Sequence, residues 1–322
     1  MPAKSKKSAK QQKKTAGKAS AKALPDFYLI DASIYIFRAY FSMPSSIQDS
    51  AGRPVGAVYG FTDFLIKLIT EARPTHLLAC FDESLNSSYR NEIYPEYKAN
   101  RELPPADLER QLKLCREIAG LMGMPAIAHD RYEADDLIGA CMQKHRARFK
   151  SGVIVSSDKD LAQLLNQHDV LWDYARERRF DPPAIVEHFG VPPERIADYL
   201  ALAGDAVDNI PGVSGIGAKT AATLVREFGG VSTILKSIPK IADSSGIRGA
   251  AKIAATLERE ADDLRRWLAV TRIETRISGL PGWRELGYRG PDLNALTALF
   301  EAEGFGTRLP QRVAKFAAAI ST

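Results

Sequence analysis

The chain has 322 residues and a mass of 35.3 kDa, enough to bury a full core as one large domain or two smaller ones. Its three cysteines, Cys80, Cys115 and Cys141, include no C-x-x-C pair, which argues against a disulfide framework or thiolate zinc site; no apolar run nears the roughly 20 residues of a membrane helix. The formal charge of +5 misleads as a whole: residues 1–25 hold eight lysines and no acid, and removing their +8 leaves −3 for the rest, so overall charge cannot be what holds a polyanion.

That opening stretch, with Lys4, Lys6, Lys7, Lys10, Lys13, Lys14, Lys18 and Lys22 among Ala, Ser and Gln, is expected to be a disordered tail over residues 1–24. It reads equally as a solubilising extension or a sequence-blind DNA tether. It lacks the apolar segment of a secretory signal, and with cysteines that fit a reducing compartment the protein is expected to be soluble and intracellular. Short apolar runs then alternate with helical stretches, the pattern of an α/β domain with a mostly parallel sheet. Strands are predicted at Phe27 to Ile30, Leu77 to Phe81, Val153 to Val155 and Val170 to Trp172, and helices at Val58 to Glu71, Leu108 to Leu121, Ala134 to His145 and Leu161 to Leu165. After Asp181 helices take over, opening with Pro182-Pro183 and Pro192-Pro193. A boundary near residue 180 follows, with domains over residues 25–180 and 181–322.

Each strong strand ends in an acid: Asp31 after Ile30, Asp82 after Phe81, Asp158 and Asp160 just past Val155. In open α/β sheets ligands bind at the carboxyl ends of strands, so these four converge if the strands are neighbours. Glu133, Asp135 and Asp136 open a helix, where acids also serve as ordinary caps. Asp205 and Asp208 lie at i and i+3, sharing a face if that segment is a helical turn. A lone Asp after a strand is commonly a turn residue. So many acids in one cleft stay ionised only with cations among them, and oxygen donors without His or Cys select hard ions, Mg²⁺ or Mn²⁺. Two such ions roughly 3.5 to 4 Å apart would activate water and stabilise the leaving oxygen of a phosphodiester.

Other chemistries find no support. The five histidines lack H-E-x-x-H spacing, and no G-x-S-x-G elbow is present. Gly212 to Thr220 suggests a P-loop, but Ala218 interrupts the required Gly-Lys-Thr and no strand precedes it. It reads better as a hairpin holding a phosphate backbone, with Gly212, Gly215 and Gly217 allowing close approach and Lys219 and Thr220 adding contacts; a plain turn is the alternative. Between residues 89 and 101, Tyr89, Arg90, Tyr94, Tyr97, Lys98 and Arg101 could stack and neutralise a single strand, or form a solvated amphipathic helix.

Taken in order, Leu29-Ile30-Asp31, Arg38-Ala39-Tyr40, Gly56 to Phe61, Phe81-Asp82, Tyr97-Lys98-Ala99-Asn100-Arg101, Tyr132-Glu133-Ala134-Asp135-Asp136, Ser157-Asp158-Lys159-Asp160-Leu161, Gly204-Asp205 to Asp208-Asn209 and the glycine hairpin resemble the 5′-nuclease domain of bacterial DNA polymerase I, within the flap endonuclease superfamily. The resemblance spans about residues 26–310. It implies a PIN-like α/β domain with a helical arch, and a C-terminal helical region with a helix–three-turn–helix motif that grips duplex DNA. It further implies that Asp31, Asp82, Glu133 and Asp135 hold one metal, that Asp158, Asp160 and Asp208 hold a second, and that Asp136 and Asp205 stand nearby in the catalytic set. Arg38, Tyr89, Arg90, Tyr97, Lys98, Arg101 and Lys159 are its expected DNA contacts, with Lys98 and Arg101 near the reacting phosphate. K⁺ at the glycine hairpin is another expectation. Ala32 stands where Gly usually follows the first Asp, and Val55 replaces a usual Thr. Because the chain stops at Thr322 without a polymerase, a free-standing, monomeric, bacterial 5′→3′ exonuclease and flap endonuclease near the nucleoid is expected. A non-catalytic DNA-structure binder and an RNA-directed nuclease of the same fold are the alternatives.

Overall fold

The computed structural model describes residues 24–83, 88–102 and 104–320. Of the lysine-rich tail only Leu24 falls inside them. Six described strands form one sheet: β1 (Phe27–Asp31), β2 (His76–Asp82), β3 (Ala126–His129), β4 (Gly152–Val155), β5 (Val170–Asp173) and β6 (Arg178–Phe180), in the order β3-β2-β1-β4-β5-β6. All neighbours are parallel except β5 and β6. The chain steps outward from β1 to β2 and β3, then returns past β1 to lay down β4. Direction therefore reverses between β1 and β4, and the crevice at their carboxyl ends is where such sheets place ligands.

Near-continuous apolar runs in the central strands follow from burial on both faces. Phe27 and Leu29 point to one side of β1, and Ile30 to the other. The second side is covered by α1 (Ala32–Ser42), α2 (Gly56–Ala72) and, beyond the short α3 (Tyr89–Ile93), by α4 (Ala106–Leu121). The first is covered by α5 (Ala134–His145) and a run of shorter helices: α6 (Pro182–Phe189), α7 (Ile196–Ala203), α8 (Ala218–Phe228), α9 (Val231–Lys236), α10 (Ile238–Ala242), α11 (Ala250–Arg259) and α12 (Ala261–Thr271). Their core is continuous with that under α5, joining Leu137 and Ile138 to Leu200, Leu224 and Leu264. The last two helices, α13 (Leu293–Ala302) and α14 (Arg308–Ile320), return to the other side, placing Phe300, Phe305, Val313 and Phe316 with Phe61 and Leu108.

The four predicted strands are present. Three elements escaped the sequence pattern: β3, whose four residues are only half-buried; β6, whose Arg179 lies flat over Trp172 at 3.9 Å and so passes for a polar loop; and α1, whose Ile, Tyr and Phe look strand-like. The helix expected at Leu161 to Leu165 is instead a 3₁₀ turn, Asp160–Leu164, ended when Leu165 becomes extended. All three cysteines are buried and free. Among the described residues, no helix is long and apolar enough to cross a membrane.

Candidate active site

The acids gather at the predicted crevice. Asp31 ends β1 and is buried; its carboxylate accepts a hydrogen bond from Ser156 Oγ at 2.8 Å. Asp82 ends β2 and accepts from the Ala134 backbone N–H at 2.9 Å, fixing the start of α5 beside β2. Past β4 the backbone folds on its own side chains: Asp158 N–H donates to Ser156 Oγ, and Asp160 N–H to Asp158 Oδ1. Glu133 and Asp135 enter from the first turn of α5, and Asp208 from the turn after α7.

These groups feel one another. Burial, then the charges of Asp82 and Asp158, push the Asp31 carboxyl up to about 7. Burial and the charges of Asp158 and Asp31 raise Asp135 well above the usual carboxylate range, and burial with Asp158 does the same to Asp160. Asp158 is raised as well, by burial and by Asp208 against the Asp160 N–H bond. Glu133 goes the other way: burial would raise it, but Lys98 and Arg90 hold it below its ordinary value.

Cations are interleaved with the acids. Lys98 Nζ lies 2.8 Å from Glu133, Arg101 Nη2 lies 2.7 Å from Asp208, and Lys159 Nζ lies 2.5 Å from Asp205. With these in place, no three acid, His or Cys side chains among the described residues close on a common metal position. The donor set still fits hard divalent ions. It is oxygen only, and Asp160 Oδ1 is buried without a hydrogen-bond partner, with Lys159 Nζ 3.8 Å away and beyond hydrogen-bond reach, so a cation bound closer would relieve it.

Several expected site residues play other parts. Asp136 is fully buried and turned away from the crevice, because both its oxygens are taken by Arg90 at 2.7 Å and by the Glu133 and Glu274 backbone N–H groups. Arg90 is only 3% exposed, so the expected DNA contact is unavailable: its guanidinium is consumed by Asp136, Glu133 and the Val270 carbonyl. Tyr97 is likewise buried, its phenol donating toward Glu133 and Asp208. Tyr89 is half-buried, bonded to the Arg272 carbonyl and packed on Arg90 and Tyr132, so neither tyrosine offers a free stacking face. Asp205 and Asp208 do not share a helical face. Residues 205–210 form a tight turn closed by an Asp205–Ile210 bridge with Asn209 at φ 58°, which sends Asp205 to Lys159 and Asp208 to Arg101.

Lys98 and Arg101 do stand at the crevice, Lys98 from a left-handed backbone with φ 57°. Arg38, two turns along α1 from Asp31, lines a separate cavity of about 800 Å³ with Tyr35, Phe64, Lys67, Tyr174 and Arg179. In the glycine hairpin, Gly215 and Gly217 are exposed with open space where a side chain would stand, and Lys219 is exposed just inside α8, with Thr220 half-buried behind it. Gly212 differs: it is buried, and a Cβ there would lie 2.4 Å from the Gly204 nitrogen, so close packing of two backbones demands the glycine. Sequence reading missed Ser156, which orients Asp31. The doublet Ser156-Ser157 before Asp158 was its one visible signal.

The description "5′-3′ exonuclease, N-terminal resolvase-like domain" matches residues 26–190, and "5′-3′ exonuclease, C-terminal SAM fold" matches residues 191–294. The DNA polymerase I of Rhizobium leguminosarum is 40% identical over 221 residues, covering 66% of this chain and 22% of that protein. That of Bacillus caldotenax is 36% identical over 284 residues, covering 86% and 31%. The chain thus spans between about a fifth and a third of these polymerases. A 5′-3′ exonuclease of Aquifex aeolicus is 37% identical over 213 residues, covering 66% of this chain and 73% of that protein. Among solved structures, a T5 5′-exonuclease with bound divalent zinc superposes with TM-score 0.63 at 21% identity, over 91% of this chain and 99% of that one. The catalytic core of Rad2 with a DNA substrate superposes with TM-score 0.60 at 13% identity, over 92% of each. Both show the fold. With the two family models joining end to end across sheet and helices, this chain belongs to the 5′-3′ exonuclease family.

Proposed function

We propose that this protein is a structure-specific 5′→3′ exonuclease and 5′-flap endonuclease that hydrolyses DNA phosphodiesters with two Mg²⁺ or Mn²⁺ ions, as a monomer in the bacterial cytoplasm, in primer removal and repair. Residues 25–180 carry the chemistry in this reading, and residues 181–322 grip the duplex. The observation that carries it is the crowd of carboxylates at the β1–β4 crevice, which raise one another's proton affinity and leave Asp160 Oδ1 buried without a hydrogen bond, its nearest cation Lys159 Nζ at 3.8 Å. The names of the relatives support the choice of DNA 5′ ends over other phosphodiesters.

Asp31, Asp82, Glu133 and Asp135 would hold one ion, and Asp158, Asp160 and Asp208 the other. When bound, such ions lower the pKa of water and neutralise charge on the leaving oxygen. The protein's own residues fix the rest. Ser156 and the Ala134 N–H hold Asp31 and Asp82 in place. Lys98 and Arg101 each rest on a carboxylate of the set that would hold an ion, at 2.8 Å and 2.7 Å, and from there would be placed to meet the phosphate. The exposed hairpin around Gly215, Gly217 and Lys219 holds the duplex backbone away from the chemistry and offers carbonyls to a K⁺ ion.

The test is cleavage of labelled 5′-flap, nicked, blunt and single-stranded DNA and matched RNA flaps, each with Mg²⁺, Mn²⁺ or chelator. Metal-dependent release from 5′-flapped DNA is expected, and its loss in Asp82→Ala and Asp158→Ala with DNA binding retained. Equal cutting by either variant would refute the assigned roles.

A further inference from the structure

The helix α12 ends against Arg90 and Gln163, and its last carbonyls, which no helix can satisfy internally, need partners. Arg90 and Gln163 supply most of them, and Tyr89 Oη also donates to the Arg272 carbonyl at 3.4 Å. Arg90 Nε donates to the Val270 carbonyl at 2.9 Å and Arg90 Nη2 reaches that of Arg272 at 3.4 Å. Gln163 Nε2 donates to the Thr271 carbonyl at 3.0 Å, while its Oε1 accepts from the Ile273 N–H at 3.0 Å. The strap from Val270 to Glu274 is completed by Asp136, which accepts the Glu274 N–H at 2.9 Å.

Each clamp also touches one of the two segments that carry the acids. Arg90 pairs with Glu133 at 3.0 Å, and Asp136 accepts the Glu133 N–H at 3.1 Å, which sets the first turn of α5. Gln163 Nε2 also donates to the Asp160 carbonyl at 3.0 Å, setting the turn that carries Asp158 and Asp160. We propose that Arg90 and Gln163 are positioning residues: they fasten the α5 acids and the post-β4 acids to one strap, so that the end of α12 fixes the spacing of the two metal-binding groups. This rests on the two-ion reading above. Arg90 suits its place because a buried cation at the negative end of a helix, with Asp136 bidentate against it, has every donor used.

Arg90→Lys and Gln163→Ala, made singly and together in the full chain, test the proposal through three measurements. Mn²⁺ affinity is read by calorimetry without DNA, flap affinity and its salt dependence by anisotropy in chelator, and cleavage under single turnover. Each single variant should bind Mn²⁺ about tenfold more weakly and cut correspondingly slower, as loss of outer support does elsewhere. The double variant should lose less than the product, since both act through one strap. Flap affinity in chelator should stay within about twofold, with an unchanged salt slope. A slope reduced by about one in a further variant, Arg90→Gln, which removes the charge that Arg90→Lys keeps, with Mn²⁺ affinity intact, would make Arg90 a phosphate contact and overturn the proposal. Unchanged Mn²⁺ affinity in both variants would overturn it as well. Should Arg90→Lys melt early, Gln163→Ala decides, since it leaves the buried ion pair untouched. A wild-type chain that neither binds Mn²⁺ nor cuts flaps defeats the two-ion reading itself, whereas a wild type that does both, matched in both by the variants, defeats only the strap.

Discussion

Replacing Asp31 by Asn should abolish cleavage and yet stabilise the protein in chelator. The Asp31 carboxyl sits at about 7 in the fold, pushed there by burial, Asp82 and Asp158, against 3.8 in an unperturbed chain. Below pH 3.8 both states hold the proton and nothing is lost. Between the two values the folded protein keeps a proton that the unfolded chain gives up, so stability falls as pH rises, and above 7 the full penalty applies. About three pH intervals at about 1.4 kcal/mol each give about 4 kcal/mol at pH 8. Asn keeps the acceptor for Ser156 Oγ but carries no charge; since Asp82 and Asp158 retain theirs, a gain of about 2 to 4 kcal/mol is expected, on the order of 3 to 6 °C in melting temperature. Thermal unfolding of both proteins in EDTA from pH 4 to pH 8 measures it. The difference should be near zero at pH 4 and grow toward pH 8, with Mn²⁺ erasing it by stabilising the wild type alone. A variant no more stable at pH 8 would show that the crevice carries no electrostatic strain.

Lys98→Met should raise Mn²⁺ affinity of the DNA-free protein by on the order of tenfold, by removing the ammonium that competes for Glu133, while slowing cleavage; calorimetry showing weaker binding would reject the exchange. Gly212→Ala should cost about 2 to 4 kcal/mol in urea unfolding, because φ is +70° and the new Cβ would press on Gly204. Lys219→Ala should leave melting unchanged but weaken duplex binding and lower its salt slope by about one, and an identical slope would remove the hairpin from the interface. Phe305→Ala should lose about 3 to 5 kcal/mol by calorimetry, since that ring is fully buried under α2 and α14.

What could be read from the residues was what local pattern encodes. Asp31, Asp82, Asp158 and Asp160 each follow an apolar strand, so their convergence needed only that β1, β2 and β4 be neighbours, and they are. What could not be read was partnership across the chain. Arg90 and Asp136 are 46 positions apart and Asp136 and Glu274 are 138 apart, so an arginine suited to phosphate and an acid suited to metal gave no hint that they neutralise each other. Gln163 carried no pattern at all. The turn at Asp205 to Ile210 is a different case: Gly204 and Pro211 flank it, and both disfavour the helix that i, i+3 spacing suggested.

The return of α13 and α14 to the α2 and α4 side has a consequence for biosynthesis. Phe300, Phe305, Val313 and Phe316 seal apolar surface on Phe61 and Leu108, residues that leave the ribosome some two hundred positions earlier. Until those last helices emerge, apolar surface on the α2 and α4 layer stays exposed, so the nascent chain carries an aggregation hazard that its final residues remove.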